Sequence, residues 1–279
     1  MPILRAGMHF GASQLLTFVA SNADTVAIGA QLGAGPLGLY NRAFQLMTIP
    51  VSRTLGPLTR VAIPAINRAS KDGHNSVGLL LRVQSCLGIF LVGALAAAAA
   101  VAPILIPLVL GPDWDSSVPL FQILALAGAI QVWTFVCYWG FLLVGSSQAF
   151  FRSTLVTKPL AAGLVVVASF FGVEAVAVAY ALGLAVSWPI GLIWLQASAG
   201  LRSWPFFADG LRTLTAAIAS FVSGTLVLSA TETLDPLGSL VLSCFGALAM
   251  YVVAFVLIPG GRKALRNALR VLLRVMTRR

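Results

Sequence analysis

Residues 22–68 read NADTVAIGAQLGAGPLGLYNRAFQLMTIPVSRTLGPLTRVAIPAINR. Two apolar segments meet here at a short Gly/Pro turn, and each is long enough to cross a bilayer, which takes about 20 mostly apolar helical residues. Asp24, Arg42, Arg53 and Arg60 lie inside them. A charge at mid-bilayer costs about 3 kcal/mol on insertion scales, so it is normally paired or functional. The rest of the chain has the same character. Of 279 residues, 59% are hydrophobic and only 9% charged, against roughly 25% charged in soluble domains. The expected fold class is an all-α membrane protein, a multi-pass transmembrane helical bundle.

The net charge of +10 does not mark a nucleic-acid partner, because of where the charges lie. Seven Lys/Arg follow residue 261, and most others flank apolar segments, which is the pattern of membrane topology. Cys86, Cys137 and Cys244 are scattered through apolar sequence without Cys-x-x-Cys spacing or a neighbouring His. Neither a disulfide framework nor a metal site is expected, and no cofactor. Arg5 precedes no small-residue cleavage site, so the N-terminus reads as the approach to a membrane helix rather than a removable signal.

About eight spans are expected, at 9–32, 40–66, 83–110, 119–144, 155–172, 174–196, 212–230 and 237–258. Basic connectors (Arg68, Lys71, Arg82; Arg152, Lys158; Arg202, Arg212; the tail) alternate with acidic ones (Asp113, Asp115; Glu174; Glu232, Asp235). By the positive-inside rule both termini are cytoplasmic. The third span is long and contains Pro103 and Pro107, which predict either a kink or an oblique course. Gly7/Gly11 and Gly29/Gly33 form GxxxG pairs, and Ala94 to Ala100 is a smooth run; both favour close helix packing.

Three motif readings are weighed against plainer ones. GAGPLG at 33–38 matches the dinucleotide-binding pattern by letters alone, but membrane helices flank it and no acid follows about 20 residues on. It reads instead as a tight helix–helix turn. His9 and His74 are the two histidines, with no metal spacing and no nucleophile beside them, so no enzymatic activity is expected. The tail GRKALRNALRVLLRVMTRR places Arg262, Arg266, Arg270, Arg274 and Arg278 on one side of a helix and apolar residues on the other. Such a helix lies on the cytoplasmic leaflet, where each basic residue gains about 1 kcal/mol from anionic lipid. The plainer reading is a topology anchor; the sharper one is a dock for a cytoplasmic enzyme partner.

The second span carries the most specific pattern. At 100° per residue, Arg42, Gln45, Ser52, Arg53, Gly56, Thr59, Arg60 and Asn67 fall within about 120° of one another. A polar stripe on a membrane helix should line a cavity or a partner helix rather than face lipid. Pro50, Pro57 and Pro64 edge the stripe at intervals of seven. Each frees a carbonyl, as the helix-breaking or hinge residues of transporter sites do, and Gly56 joins that set. The first span adds Gln14, Thr17, Ser21, Asn22 and Asp24. Asp24 is either a structural ion-pair partner of Arg53 or Arg60, or a proton- or sodium-responsive carboxylate. The arginines either pair with acids elsewhere or attract an anionic group, for which phosphate is the natural ligand of a guanidinium.

The stretch resembles the second half of Wzx-type polysaccharide-transporter flippases of the multidrug/oligosaccharidyl-lipid/polysaccharide superfamily. The resemblance rests on Asn22-Ala23-Asp24, Ile28-Gly29, Leu32-Gly33, Leu37-Gly38, Tyr40, Arg42-Ala43-Phe44, Pro50, Gly56-Pro57-Leu58 and Arg60 to Ala65, and more loosely on Leu110-Gly111 to Trp114 and Leu120 to Gly128. Arg53 is not part of the pattern. The resemblance implies two related bundles facing a cavity, in the bacterial inner membrane. It implies movement of undecaprenyl-pyrophosphate-linked oligosaccharide from the cytoplasmic to the periplasmic leaflet by alternating access. On that basis 1–200 is the second bundle, 201–260 two additional helices and 261–279 the basic tail, with the first bundle missing or supplied by a second chain. The substrate cavity then holds Asn22, Asp24, Arg42, Gln45, Ser52, Arg53, Thr59 and Arg60. Expected partners are the lipid-linked oligosaccharide, anionic lipids at the cytoplasmic face, and polysaccharide polymerase or glycosyltransferases. The alternatives are a non-transporting scaffold of a polysaccharide assembly complex and a multidrug-type antiporter on the same fold.

Overall fold

The computed structural model describes residues 2–71, 75–231 and 235–266. His74, Arg270 and Arg274 lie outside these residues, as does the side chain of His9. The described chain is helical throughout: α1 Pro2–Ser21, α2 Ala23–Gln31, α3 Ala34–Lys71, α4 Ser76–Leu87, α5 Gly93–Ala100, α6 Ala102–Leu110, α7 Val118–Val144, α8 Ser147–Ala168, α9 Val173–Ala199, α10 Trp204–Ala230 and α11 Pro236–Leu257. A π-helical turn, Gly88–Val92, joins α4 to α5, and a 3-10 segment, Pro112–Ser117, leads into α7. With no water in hydrocarbon to satisfy backbone groups, helices are one of the two architectures that can span it. Among the described residues six stretches are long and apolar enough to do so: 76–100, 112–144, 147–171, 173–198, 204–230 and 236–257. The two remaining expected spans correspond to α1–α2 and α3, whose polar residues keep them out of that set. At 38 residues, α3 is about 57 Å long at 1.5 Å per residue, well beyond a hydrocarbon core of about 30 Å.

The turns that divide these helices are shorter than the expected connectors. Only Leu32 and Gly33 separate α2 from α3, with Gly33 at φ 84°, a conformation that glycine adopts without a Cβ clash. Pro36 sits in the first turn of α3, where the missing N–H would have no helical partner anyway. The basic segment expected at 145–158 shrinks to Gly145 and Ser146, so Arg152 and Lys158 belong to α8. Arg82 likewise lies within α4, and Arg212 within α10. The expected bend in the third span is present. Regular helix gives way at Val101 (φ −94°, ψ 7°), and α6 restarts with Pro103 in its first turn. By contrast α3 runs unbroken through Pro50, Pro57 and Pro64; the freed carbonyls of Leu46, Arg53 and Arg60 do not interrupt it.

The chain forms two compact units that are discontinuous in sequence, whereas the expected division was linear. One comprises residues 1–74 and 119–203, the other 75–118 and 204–279. In the first, α8 packs on α1, α2 and α9, and Tyr40, Met47, Leu55, Trp133 and Trp139 are fully buried. Gly183 and Ala161 set the α8–α9 approach, since a Cβ on Gly183 would stand 2.9 Å from that of Ala161. In the second unit, α10 and α11 pair and α5 packs against both. The smooth run of α5 does meet small residues, with Ala97, Ala100 and Ala247 in one core. The Ser220 hydroxyl donates to the Ala247 carbonyl at 2.8 Å.

Close approach follows the GxxxG pairs only in part: a Cβ on Gly29 would stand 3.3 Å from the Leu37 Cδ2. A Cβ on Gly11 would touch nothing within 4 Å, while one on Gly224 would stand 2.5 Å from the Ala100 Cβ and 2.9 Å from that of Ala247. Gly224→Val is therefore expected to force α5, α10 and α11 apart. Overpacking of this kind costs about 1–3 kcal/mol. The expected result is a clear fall in the thermal midpoint of the detergent-purified protein, with Gly11→Val within error of wild type. Equal midpoints for the two variants would show that the three-helix contact is not close.

Candidate functional site

The site is built in the first unit, at the join between α1 and α2. Along α1, hydroxyls bond back to carbonyls one turn earlier: Thr17 to Ser13 at 2.8 Å and Ser21 to Thr17 at 2.6 Å. Such bonds compete with the helical ladder, and α1 ends at Ser21. The Asn22 side-chain amide donates to the Phe18 carbonyl at 2.7 Å, satisfying a terminal acceptor that would otherwise be orphaned. The chain then re-enters a helix with Asp24 in its first turn, where the helix dipole favours a carboxylate.

Asp24 is 3% exposed. One carboxylate oxygen accepts the Thr25 backbone N–H at 2.8 Å and the other the Tyr40 hydroxyl at 2.7 Å. Tyr40 in turn stacks on Phe44, which meets Tyr180 edge-on at 5.3 Å between ring centroids. The ion-pair alternative for Asp24 is not realised: among the described residues the one ion pair joins Arg212 to Asp209. Tyr40 does what a guanidinium was expected to do, because its hydroxyl projects from the start of α3 at the depth of Asp24, whereas Arg53 and Arg60 sit several turns farther along.

A cavity of about 520 Å³ opens between α1, α2, α3, α7, α8 and α9. Of the expected cavity and hinge residues, Asp24, Gly56, Thr59 and Arg60 line it, together with Gln14, Thr17 and Ser21 of α1. Thr59 is held in place: its hydroxyl donates to the Leu55 carbonyl at 2.7 Å and accepts the Trp139 indole N–H of α7 at 2.9 Å. Arg60 makes no hydrogen bond or ion pair among the described residues. Asn22, Arg42, Gln45, Ser52 and Arg53 are exposed and off the cavity wall. Arg42 donates to the Gln45 side chain at 3.2 Å, and the Ser52 hydroxyl bonds its own backbone at Ile49. Pro50 is half-buried, Pro57 and Pro64 exposed, and none of the three lines the cavity. The stripe shares an azimuth but not a depth, since Arg42 and Arg60 are about 27 Å apart along the axis.

The opposite wall was not legible from residues 22–68. Gln131, Thr134 and Tyr138 come from α7, Lys158 from α8, and Tyr180 and Trp188 from α9. Lys158 had been assigned to a basic connector. The available signal was its setting: the stretch from Leu155 to Val167 is otherwise uncharged, so a helix starting at Ser147 puts this lysine mid-span. The second unit has its own buried polar cluster. Asp209 accepts the Ser85 hydroxyl at 2.8 Å, the Gln84 amide at 3.3 Å and Arg212 at 3.2 Å. Among the described residues no group of three His, Cys, Asp or Glu could hold a metal ion.

Comparison with known proteins gives this arrangement a context. Residues 1–119 match a family described as polysaccharide biosynthesis protein. The chain is 29% identical over 130 residues to the lipopolysaccharide biosynthesis protein WzxC of Escherichia coli, covering 47% of this chain and 26% of the relative. It is 31% identical over 120 residues to the teichuronic acid biosynthesis protein TuaB of Bacillus subtilis, covering 43% and 25%. A membrane protein from the cps region of Klebsiella pneumoniae is 27% identical over 118 residues. The matches thus span about a quarter of each relative's length, and no solved structure matches. With six helices among the described residues able to cross a membrane, the chain is a multi-pass protein of the bacterial inner membrane. Through residues 1–119 it is similar to the polysaccharide biosynthesis proteins, in the same stretch whose residues carry the flippase resemblance.

Proposed function

We propose that the protein moves a lipid-linked oligosaccharide of the undecaprenyl-pyrophosphate type from the cytoplasmic to the periplasmic leaflet, as part of polysaccharide or lipopolysaccharide synthesis. The observation that carries this reading is the cavity of the first unit, where Arg60 makes no ion pair among the described residues and lies with hydroxyl, amide and aromatic side chains. The similarity of residues 1–119 to polysaccharide biosynthesis proteins supports the cargo class. A guanidinium held in a low-dielectric site has its strongest interactions with phosphate or carboxylate. The exposed Arg42 and Arg53 would present further charge to the pyrophosphate along the outer face of α3. A second helical bundle facing α3 would complete the path for alternating access.

The test is glycan export in a strain lacking its own transporter, read against membrane abundance. A scaffold is the competing reading, favoured by the last described turn, where Arg262, Lys263 and Arg266 are exposed and Ala264 and Leu265 half-buried. Deleting residues 262–279 separates the two. A transporter is expected to keep most of its export, since the cavity lies in the other unit. Complete loss of export at normal abundance would favour the scaffold.

A further inference from the structure

Resting on the transport reading, we propose that the cavity of the first unit is a sugar-binding subsite selective for an acidic sugar, with the Lys158 ammonium pairing with a carboxylate on the glycan itself. Lys158 is the twelfth residue of α8, about 17 Å along the helix axis from Ser147. That is near the middle of a hydrocarbon core of about 30 Å. It lines the cavity and has no hydrogen bond or ion pair among the described residues. Lys158 is half-buried, and an unpaired ammonium at that depth is costly. Asp24 lines the same cavity but makes no ion pair with Lys158 among the described residues, so a ligand can supply the counter-ion.

Three further features point to a sugar rather than a bare phosphate. Gln131 lines the same cavity, and its Oε1 is buried without a hydrogen-bond partner. An orphaned buried acceptor calls for a donor, which a sugar hydroxyl has and a fully ionised phosphate lacks. Tyr138 and Phe150, 5.2 Å apart between centroids, offer adjacent ring surface on the wall, suited to the apolar face of a pyranose. The volume of about 520 Å³ is within the roughly 300–1,000 Å³ of small-molecule sites. Together these groups match a hydroxylated ring bearing its own carboxylate, with Arg60 of the same cavity left for the pyrophosphate.

The experiment titrates the full-length, detergent-purified protein and follows its tryptophan fluorescence, since Trp188 is on the cavity wall. Three probes are compared: cellobiouronic acid, its neutral counterpart cellobiose, and inorganic pyrophosphate. The expected result is at least tenfold tighter binding of the uronic acid than of cellobiose. Lys158→Met should remove that difference, and Lys158→Arg should restore much of it. Equal binding of the two disaccharides, or binding of neither, would overturn the proposal. So would a Lys158 effect confined to pyrophosphate, which would make the lysine a contact for the carrier. Binding is read without transport, so a selective subsite in a protein that exports nothing would sink the flippase reading alone. Export with no disaccharide selectivity would sink this one alone.

Discussion

Arg60→Ala is expected to reduce polysaccharide export to background while leaving membrane abundance unchanged. The two halves of that result have separate causes. Arg60 is exposed on α3, lines the cavity and has no internal partner among the described residues. Its removal orphans no other group, and substitutions of that kind usually change stability by about 0.5 kcal/mol or less. Export differs because truncating one member of a desolvated charge pair with cargo costs about 2–5 kcal/mol. That is about thirtyfold to several-thousandfold in affinity. Arg60→Lys should sit between, since it keeps the charge and loses the planar two-pronged donor. Export at the wild-type level with normal abundance of Arg60→Ala would remove Arg60 from the site.

Asp209→Ala is expected to have the largest effect on stability. Asp209 is 3% exposed and gathers Ser85, Gln84 and Arg212 around one carboxylate. Hydrogen bonds between membrane helices average about 0.6 kcal/mol, so the two neutral donors together contribute little more than 1 kcal/mol. The ion dominates. Breaking a buried pair by removing one partner costs about 3–5 kcal/mol, because the remaining charge has no compensation. The Arg212 side chain is only 18% exposed, and its Nε is already buried without a hydrogen-bond partner among the described residues. The variant should be depleted from membranes and lose its thermal transition, while Ser85→Ala stays close to wild type. The double variant Asp209→Leu/Arg212→Leu should recover much of the loss, because neither charge is then stranded. A thermal midpoint for Asp209→Ala equal to that of Ser85→Ala would show that the pair carries no such weight.

These two residues differ in how far they could be read from the chain alone. Arg60 was legible: it repeats on one face of a helix with Thr59 and Gly56, and the run from Gly56 to Ala65 carries the family resemblance. Asp209 was not, because its partners Gln84 and Ser85 lie more than 120 residues away and no local period connects them. Asn22 and Asp24 illustrate the intermediate case. The span expected at 9–32 divides at this point, α1 ending at Ser21 and α2 starting at Ala23, and which of the polar residues turns inward depends on the neighbouring helices. Asn22 folds back on α1 and remains exposed, while Asp24 is covered by Tyr40.

The sequence by itself determined the solvent, the helical class, the site of the turn at Gly33, and the bend in the span that holds Pro103. Each of these depends on composition or on a residue's own backbone preferences, which act locally. Only the tertiary structure decided which part of the α3 stripe lines a cavity. A helical wheel gives direction around the axis but not depth, and depth is set by where other helices begin and end. It also moved Lys158 from an expected loop to the cavity wall, because a helix boundary shifted by eight residues exchanges the membrane surface for its middle. Close packing at Gly224 and not at Gly11 has the same origin: a glycine permits contact, but only a neighbour at the right distance makes it.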